Sequence, residues 1–150
     1  TEKEKAYIAG FLDGDGSIML QLHRRKSDKE VFRVKTVICF YQDSRHHQDI
    51  EWIKKTLGCG YVYIRNDHIS ELRIEGFEKV LQTLKVLQPY LRFKRKQVIL
   101  MLNLIPRLQQ GLPRQQVVTK IKKMREYNYI SHQRNTLEDV PVTTNMEGTR

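Results

Sequence analysis

The stretch that decides the fold is KAYIAGFLDGDGS, which occupies residues 5–17. It begins with helical character and ends in a turn rich in glycine and aspartate. Small residues recur every four positions, so a helix places them on one face. A face with almost no side chain lets another helix backbone approach closely. The residues predicted to form this packing interface are Ala6, Ala9, Gly10, Asp13 and Gly14.

The end of the predicted helix carries negative charge. The last carbonyl groups of a helix bear a partial negative charge, and Asp13 and Asp15 add formal charge to it. Carboxylate and carbonyl oxygens are the ligands that hard divalent cations prefer. Two interpretations stay open on these residues alone: a metal-binding helix end, or a glycine-capped helix end with two solvated aspartates.

The composition indicates one basic domain. The 150 residues include 27 Lys and Arg against 17 Asp and Glu, which gives a formal net charge of +10. A chain of this length has the typical size of one domain, and we assign it to residues 1–132, followed by a polar tail at 133–150. A surplus of positive charge this large favours an anionic partner, with nucleic acid ahead of membrane or acidic protein.

The apolar runs and the cysteines exclude several classes of protein. No apolar run approaches the length of a membrane span, and no signal-peptide pattern is present, so no membrane partner is predicted. The two cysteines form no CxxC pair, and the five histidines have no zinc-site spacing. This usage favours a reducing compartment.

Beyond residue 17 the hydrophobic period changes from helical to alternating. Alternation predicts two β-hairpins, one over residues 17–41 and one over residues 61–75 with a turn near Asn66-Asp67. Further helices are predicted at residues 47–57, 77–87, 98–108 and 113–129. The order helix, hairpin, helix, hairpin, helices predicts an α+β domain with a four-stranded antiparallel sheet backed by helices and extra C-terminal helices.

The outward face of the two hairpins is polar and basic. Solvated sheet faces are often charged, but together with the net charge this face favours nucleic acid. Its residue types suit hydrogen bonds to base edges, and a two-stranded ribbon fits the major groove. Glu71 is predicted either to accept from a cytosine amino group or to pair with a neighbouring arginine, and Cys39 to contact thymine methyl groups. The predicted contacts are Gln21, His23, Arg25, Arg33, Lys35, Cys39, Tyr61, Tyr63, Arg65, Glu71 and Arg73.

Residues 8–16, IAGFLDGDG, resemble the signature of the LAGLIDADG homing endonucleases. The hairpins that follow match the αββαββα core of that family, with its saddle-shaped four-stranded sheet. Gln42, after the second strand, and Lys94, in the segment 91–97, fall where single-motif members keep catalytic-centre residues. The resemblance covers residues 6–110.

The resemblance implies a dimeric, metal-dependent enzyme. The chain has one signature, which implies a homodimer with two-fold symmetry on a near-palindromic double-stranded DNA site. In that family the signature helices pack together and their acidic ends meet near the cleavage site. Asp15 and the backbone carbonyl of Gly14 would hold Mg²⁺, Lys94 would stabilise developing negative charge, and Gln42 would position solvent. Asp13 is expected to stabilise the helix end rather than to bind metal.

The reach of the sheet sets the size of the DNA site. A strand of about nine residues spans roughly 30 Å, so two subunits cover about twenty base pairs. Phosphate contacts are expected from loop lysines and from Arg134 in the tail. An organelle, either chloroplast or mitochondrion, is the expected location because intron-encoded members of the family occur there, with another intracellular location as the alternative.

Two other functions compete with cleavage. The first is a DNA- or RNA-binding protein on the same scaffold, such as an intron maturase or a transcription regulator. The second is an interaction domain whose positive charge is incidental. The combination of Asp15, Gln42 and Lys94 favours the enzyme, because a pure binder has no need for carboxylates that face phosphates.

Overall fold

Helices and strands alternate along the chain in the predicted order. The computed structural model describes residues 1–25 and 28–128, so Arg134 and the tail lie outside the described residues, as does the side chain of Arg25. Within these residues the helices are α1 (Glu2–Asp15), α2 (His47–Leu57), α3 (Phe77–Leu87), α4 (Arg95–Gln109) and α5 (Arg114–Tyr127). The strands are β1 (Ser17–Arg25), β2 (Asp28–Asp43), β3 (Tyr61–Ile64) and β4 (Ile69–Glu75).

The four strands form one antiparallel sheet in the order β1-β2-β4-β3. The two hairpins therefore join through β2 and β4, at the centre of the sheet. Strand β2 is longer than its alternating pattern predicted, since pairing with β4 continues through Gln42↔Ser70 to Asp43↔Ile69. Gln42 thus lies inside a strand and not in the turn that follows it.

The helices pack on one face of the sheet. Leu20 and Leu22 of β1 join the same buried cluster as Val98 and Met101 of α4 and Ile121 of α5. The confirmed α+β architecture follows from the alternation in the strands, because one side of every strand is apolar and needs a cover. No helix among the described residues combines the length and the apolar content needed to cross a membrane.

The end of α1 differs from the predicted glycine turn. The helix continues through Gly14 to Asp15, and Gly16 follows with an extended φ of −93° instead of a left-handed cap. Gly16 is required for close approach: an added Cβ would lie 2.5 Å from Cδ1 of Leu12 and 3.0 Å from the carbonyl oxygen of Cys39. The glycine therefore lets the end of α1 lie directly against β2.

Gly16→Ala is expected to destabilise the protein by about 1–3 kcal/mol, the usual cost of an overpacked site. The control is Lys79→Ala, an exposed position of α3 where alanine is the better helix former. Urea unfolding at two protein concentrations measures both, since dimerisation would show as a concentration dependence. Equal stability of the two variants would contradict the close approach.

Candidate active site and nucleic-acid interface

Strand register brings the predicted nucleic-acid contacts onto one face of the sheet. Alternate residues of a strand share a face, and register partners on neighbouring strands lie side by side. This surface, called the open face below, is opposite the side that the helices cover. The register pairs on it are Gln21 with Lys35, His23 with Arg33, Cys39 with Arg73, Arg73 with Tyr61, and Glu71 with Tyr63.

Three of the predicted contacts are covered by their neighbours. Cys39 has 0% of its surface exposed, Glu71 4% and His23 7%. The expectation that they stand open to bases is wrong, because almost none of their surface is accessible. Of the predicted arginine contacts with a described side chain, Arg33 and Arg65 are exposed, at the margins of the open face, and Arg73 is partly buried.

Glu75 is a member of the open face that the sequence analysis missed. Its carboxylate Oε1 accepts a hydrogen bond from Nε of Arg73 and a 3.4 Å bond from the hydroxyl of Tyr61. Burial raises the pKa of Glu75, but the hydrogen bond and the charge of Arg73 outweigh it, so the pKa is lowered overall. A base contact from Arg73 must therefore compete with Glu75. Continuing the alternation from Glu71 and Arg73 by one step would have found it.

The Cys39 thiol is expected to be unreactive because it is fully buried. Burial raises its pKa to about 11, and the thiolate is the form that reacts with disulfide reagents. Cys59 is partly exposed. The two thiols therefore differ in access.

One thiol per chain is expected to react with a disulfide reagent such as DTNB at pH 8, and the second only after unfolding in guanidinium. Cys59→Ser should remove the fast reaction and leave a slow one limited by opening of the fold. Absorbance of the released thiolate follows both. A fast reaction that persists in Cys59→Ser would show that Cys39 is accessible.

The end of α1 is locked to the start of α4 by a reciprocal contact. The Asp13 carboxylate accepts hydrogen bonds from the backbone N–H groups of Arg92 (2.7 Å) and Lys94 (3.0 Å). In return, Nζ of Lys94 donates a 2.9 Å bond to the backbone carbonyl of Asp13. This satisfies one of the orphan carbonyls at the helix end. Asp13 thus has the stabilising role that the sequence predicted, with a partner that it did not.

Asp13→Ala is expected to lower the stability by about 2–3 kcal/mol, because it removes a charged acceptor from two backbone donors. Asp15→Ala is the matched control. Its carboxylate is exposed and makes no hydrogen bond or ion pair within residues 1–25 and 28–128, so stability should change by less than about 0.5 kcal/mol. Urea unfolding of both variants measures the difference, and a comparable loss in Asp15→Ala would contradict it.

Lys94 and Asp15 lie in one electrostatic environment. Burial lowers the pKa of Lys94, and the negative charges of Asp13 and Asp15 offset this only in part. The ammonium group is therefore held at the acidic helix end by the contact with Asp13, while Asp15 is open to solvent. The structure thus brings together two of the three predicted catalytic residues.

Gln42 has different neighbours from that pair in a single chain. It lines a cleft of about 480 Å³ between α1 and α2, together with Tyr7, Phe11 and Trp52. Its side-chain Oε1 accepts a 2.9 Å hydrogen bond from the backbone N–H of Asp43. No hydrogen bond joins Gln42 to Asp15 or Lys94. Its catalytic role therefore stays a prediction.

The small-residue face of α1 is exposed, but two of the five residues predicted to lie in the interface are buried. Ala6, Gly10 and Gly14 are exposed, and an added Cβ at either glycine would meet no atom of the chain within 4 Å. Ala9 is 0% exposed and Asp13 9%. The prediction that these two lie in an interface between copies is wrong, because both point into their own chain. The exposed small-residue face of α1 is therefore narrower than predicted.

The donor atoms at the end of α1 fit a divalent cation. Asp15 offers a solvent-exposed carboxylate next to the last carbonyl groups of the helix, and hard oxygen donors of this kind suit Mg²⁺ or Ca²⁺. The described residues of one chain contain no group of three or more His, Cys, Asp or Glu placed to hold a metal ion. Complete coordination therefore requires donors from outside this chain, such as a second copy, a phosphate or water.

Comparison with known proteins gives a consistent family. A model described as LAGLIDADG endonuclease matches residues 8–104. DNA endonuclease I-CvuI of Chlorella vulgaris is 38% identical over 103 residues, which cover 69% of this chain and 64% of that protein. DNA endonuclease I-CreI of Chlamydomonas reinhardtii is 31% identical over 102 residues, which cover 68% of this chain and 62% of that protein.

A solved structure extends the likeness beyond the matched sequence. The crystal structure of I-CvuI in complex with the I-CreI target, in the presence of magnesium and with the DNA not cleaved, has a TM-score of 0.71. It is 29% identical and covers 93% of this chain and 90% of its own. The sequence alignments, in contrast, span less than two thirds of the length of the two curated relatives.

Proposed function

This chain belongs to the LAGLIDADG endonuclease family, and from that premise we propose that it is a site-specific DNA endonuclease. It acts as a homodimer on a pseudo-palindromic double-stranded site of about twenty base pairs. It hydrolyses one phosphodiester on each strand and so makes a double-strand break. Relatives named DNA endonucleases, and the complex of one of them with target DNA, support the proposal.

The observation that carries the proposal is the end of α1. An exposed carboxylate, Asp15, ends a helix whose exposed residues include Ala6, Gly10 and Gly14. Two such helices packed along that face place two copies of Asp15 at one two-fold axis. A protein that only bound DNA would lose affinity from carboxylates so close to phosphates, since like charges repel.

The residues at this axis have separate roles. Asp15 and the Gly14 carbonyl would hold Mg²⁺, which when bound activates water and stabilises the leaving oxygen. Lys94, held by Asp13, stabilises the negative charge that develops on the phosphate. Gln42 orients solvent from its position at the end of β2. Magnesium is the proposed ion because the donors are hard oxygens and because a relative was crystallised with it.

The open face supplies recognition. Gln21, Lys35, Tyr63 and Arg73 follow the duplex in the major groove, with Arg33 and Arg65 at the margins of the face. Because the net charge is +10, affinity should fall steeply with salt. The organelle location expected from the resemblance stays a prediction.

The test is a cleavage selection. A plasmid library with randomised pseudo-palindromic sites is incubated with the protein and Mg²⁺, Ca²⁺ or EDTA, and linearised molecules are sequenced. The proposal expects double-strand breaks at related sequences with Mg²⁺ and none with EDTA. Salt-dependent DNA binding without cleavage would favour the non-cleaving DNA- or RNA-binding protein, and absence of salt-dependent binding would favour the interaction domain.

A further inference from the structure

The outer surface of the two C-terminal helices contains a groove that the proposed function does not use. It has a volume of about 570 Å³ and lies between α4 and α5. The apolar sides of these helices pack onto the same face of the sheet as Leu20 and Leu22, whereas Gln21 and His23 point to the opposite face. The α4–α5 groove is therefore on the far side of the sheet from the open face.

Basic residues greatly outnumber acidic residues in these two helices. Together α4 and α5 contain eight Lys or Arg residues, three in α4 and five in α5, and one acidic residue, Glu126. Soluble helices usually interleave both signs, because like charges one turn apart destabilise a helix. The lining of the groove includes Lys96, Arg107, Lys120, Lys122 and Lys123. A surface of this composition is complementary to a polyanion.

The basic side chains of the groove have few acidic partners. Among the described residues, Lys123 pairs with Glu126 at 3.5 Å, and no other lysine of the lining has a carboxylate within ion-pair distance. The ammonium groups of Lys96 and Lys123 lie 5.8 and 5.4 Å from the ring centroid of Tyr127. The groove thus combines an excess of cations with an aromatic ring, the two features of surfaces that bind single strands.

The aromatic ring in the groove favours a single strand. Only an unpaired base can stack on Tyr127, because the bases of a duplex are already stacked on one another. The lining runs from Lys96 to Arg107 along α4, roughly 16 Å at about 1.5 Å per residue, which is enough for about five nucleotides. Ile99 is 51% exposed at the wall and offers an apolar contact for a base.

We propose that the α4–α5 groove binds a single-stranded nucleic acid, with phosphates along the lysines and a base against Tyr127. The groove begins at the same end of α4 as Lys94, since Lys96 in its lining follows Lys94 by two residues. Recognition depends on the backbone and is independent of base sequence. Occupation of this groove leaves the open face available for duplex.

Fluorescence anisotropy with labelled oligo(U), oligo(dT) and a random-sequence duplex tests the proposal across a range of salt concentrations. In Lys120→Gln/Lys122→Gln, which changes two lysines of the lining without an ion pair among the described residues, affinity for the single strands should fall about tenfold at low salt. The slope of log K against log salt should decrease by about 1.4, since each phosphate contact contributes about 0.7. Duplex affinity should change less than twofold. The oligo(U) and oligo(dT) arms tell RNA from DNA.

The matched control is Lys79→Gln/Lys85→Gln, which removes the same charge from exposed positions of α3. It should change single-strand affinity less than twofold. Three results would overturn the proposal: no single-strand binding by the unmodified protein, an equal loss of duplex affinity in the groove variant, or an equal loss in the control. Because binding is measured without metal or cleavage, failure of the nuclease proposal would not affect this readout.

Discussion

Asp15→Asn is expected to reduce the DNA cleavage rate by about three orders of magnitude or more, with duplex affinity unchanged or raised. The substitution keeps the size of the side chain and removes the charge that holds a divalent cation, whose contribution to charge stabilisation is several kcal/mol. The fold should be unaffected, because this exposed carboxylate makes no hydrogen bond within the described residues. The affinity for duplex DNA should stay the same or rise, since a negative charge that faces phosphates is lost.

The measurement pairs single-turnover cleavage of a selected site with anisotropy on the same duplex. Glu78→Gln is the matched control: it also neutralises one exposed acid per chain, but on α3. It should cleave at the unmodified rate. Cleavage by Asp15→Asn within tenfold of the unmodified protein would refute the role of Asp15, and a parallel loss in Glu78→Gln would show that net charge was responsible.

Gly10→Leu is expected to convert the dimer to a monomer and to abolish double-strand cleavage. In one chain an added Cβ at Gly10 meets no atom within 4 Å, and leucine in place of glycine inside a helix stabilises it by up to about 1 kcal/mol. The isolated chain should therefore be at least as stable as before. Between two helices packed at their small residues, the isobutyl group forces the backbones apart.

Analytical ultracentrifugation and urea unfolding separate the two effects. We expect a monomer that is as stable as the unmodified chain and does not cleave DNA. That combination would show that cleavage is lost because the two chains no longer associate. Gln82→Leu, which adds the same apolar group to an exposed position of α3, should stay dimeric and active. A Gly10→Leu protein that remains dimeric would place the interface elsewhere.

Much of this protein is determined by local sequence. The four-residue spacing of Ala6, Gly10 and Gly14 predicts their common exposed face, since the helical period depends on backbone geometry alone. Alternation in the strands likewise predicts which side chains share the open face. The prediction that Ala9 lies in the interface was wrong. Its spacing places it beside the small-residue face, but the elements that pack on α1 bury it.

The remainder depended on contacts between distant parts of the chain. Asp13 and Lys94 are 81 residues apart, so no local pattern links the carboxylate to the backbone that it caps. The burial of Cys39 arises because strands from both hairpins flank it at the centre of the sheet. The α4–α5 groove exists only because two basic helices pack side by side.

The end of α1 combines features that local sequence determines with features that depend on tertiary contacts. The sequence alone determined that this helix carries an acidic end and a small-residue face, because residue type and period suffice for both. Only the tertiary structure decided which aspartate is available. Asp13 is occupied by backbone donors from the segment before α4, while Asp15, two residues later, points to solvent. The physical reason is that a helix turns by about 100° per residue, so neighbouring carboxylates face different surroundings, and only packing determines what those surroundings are.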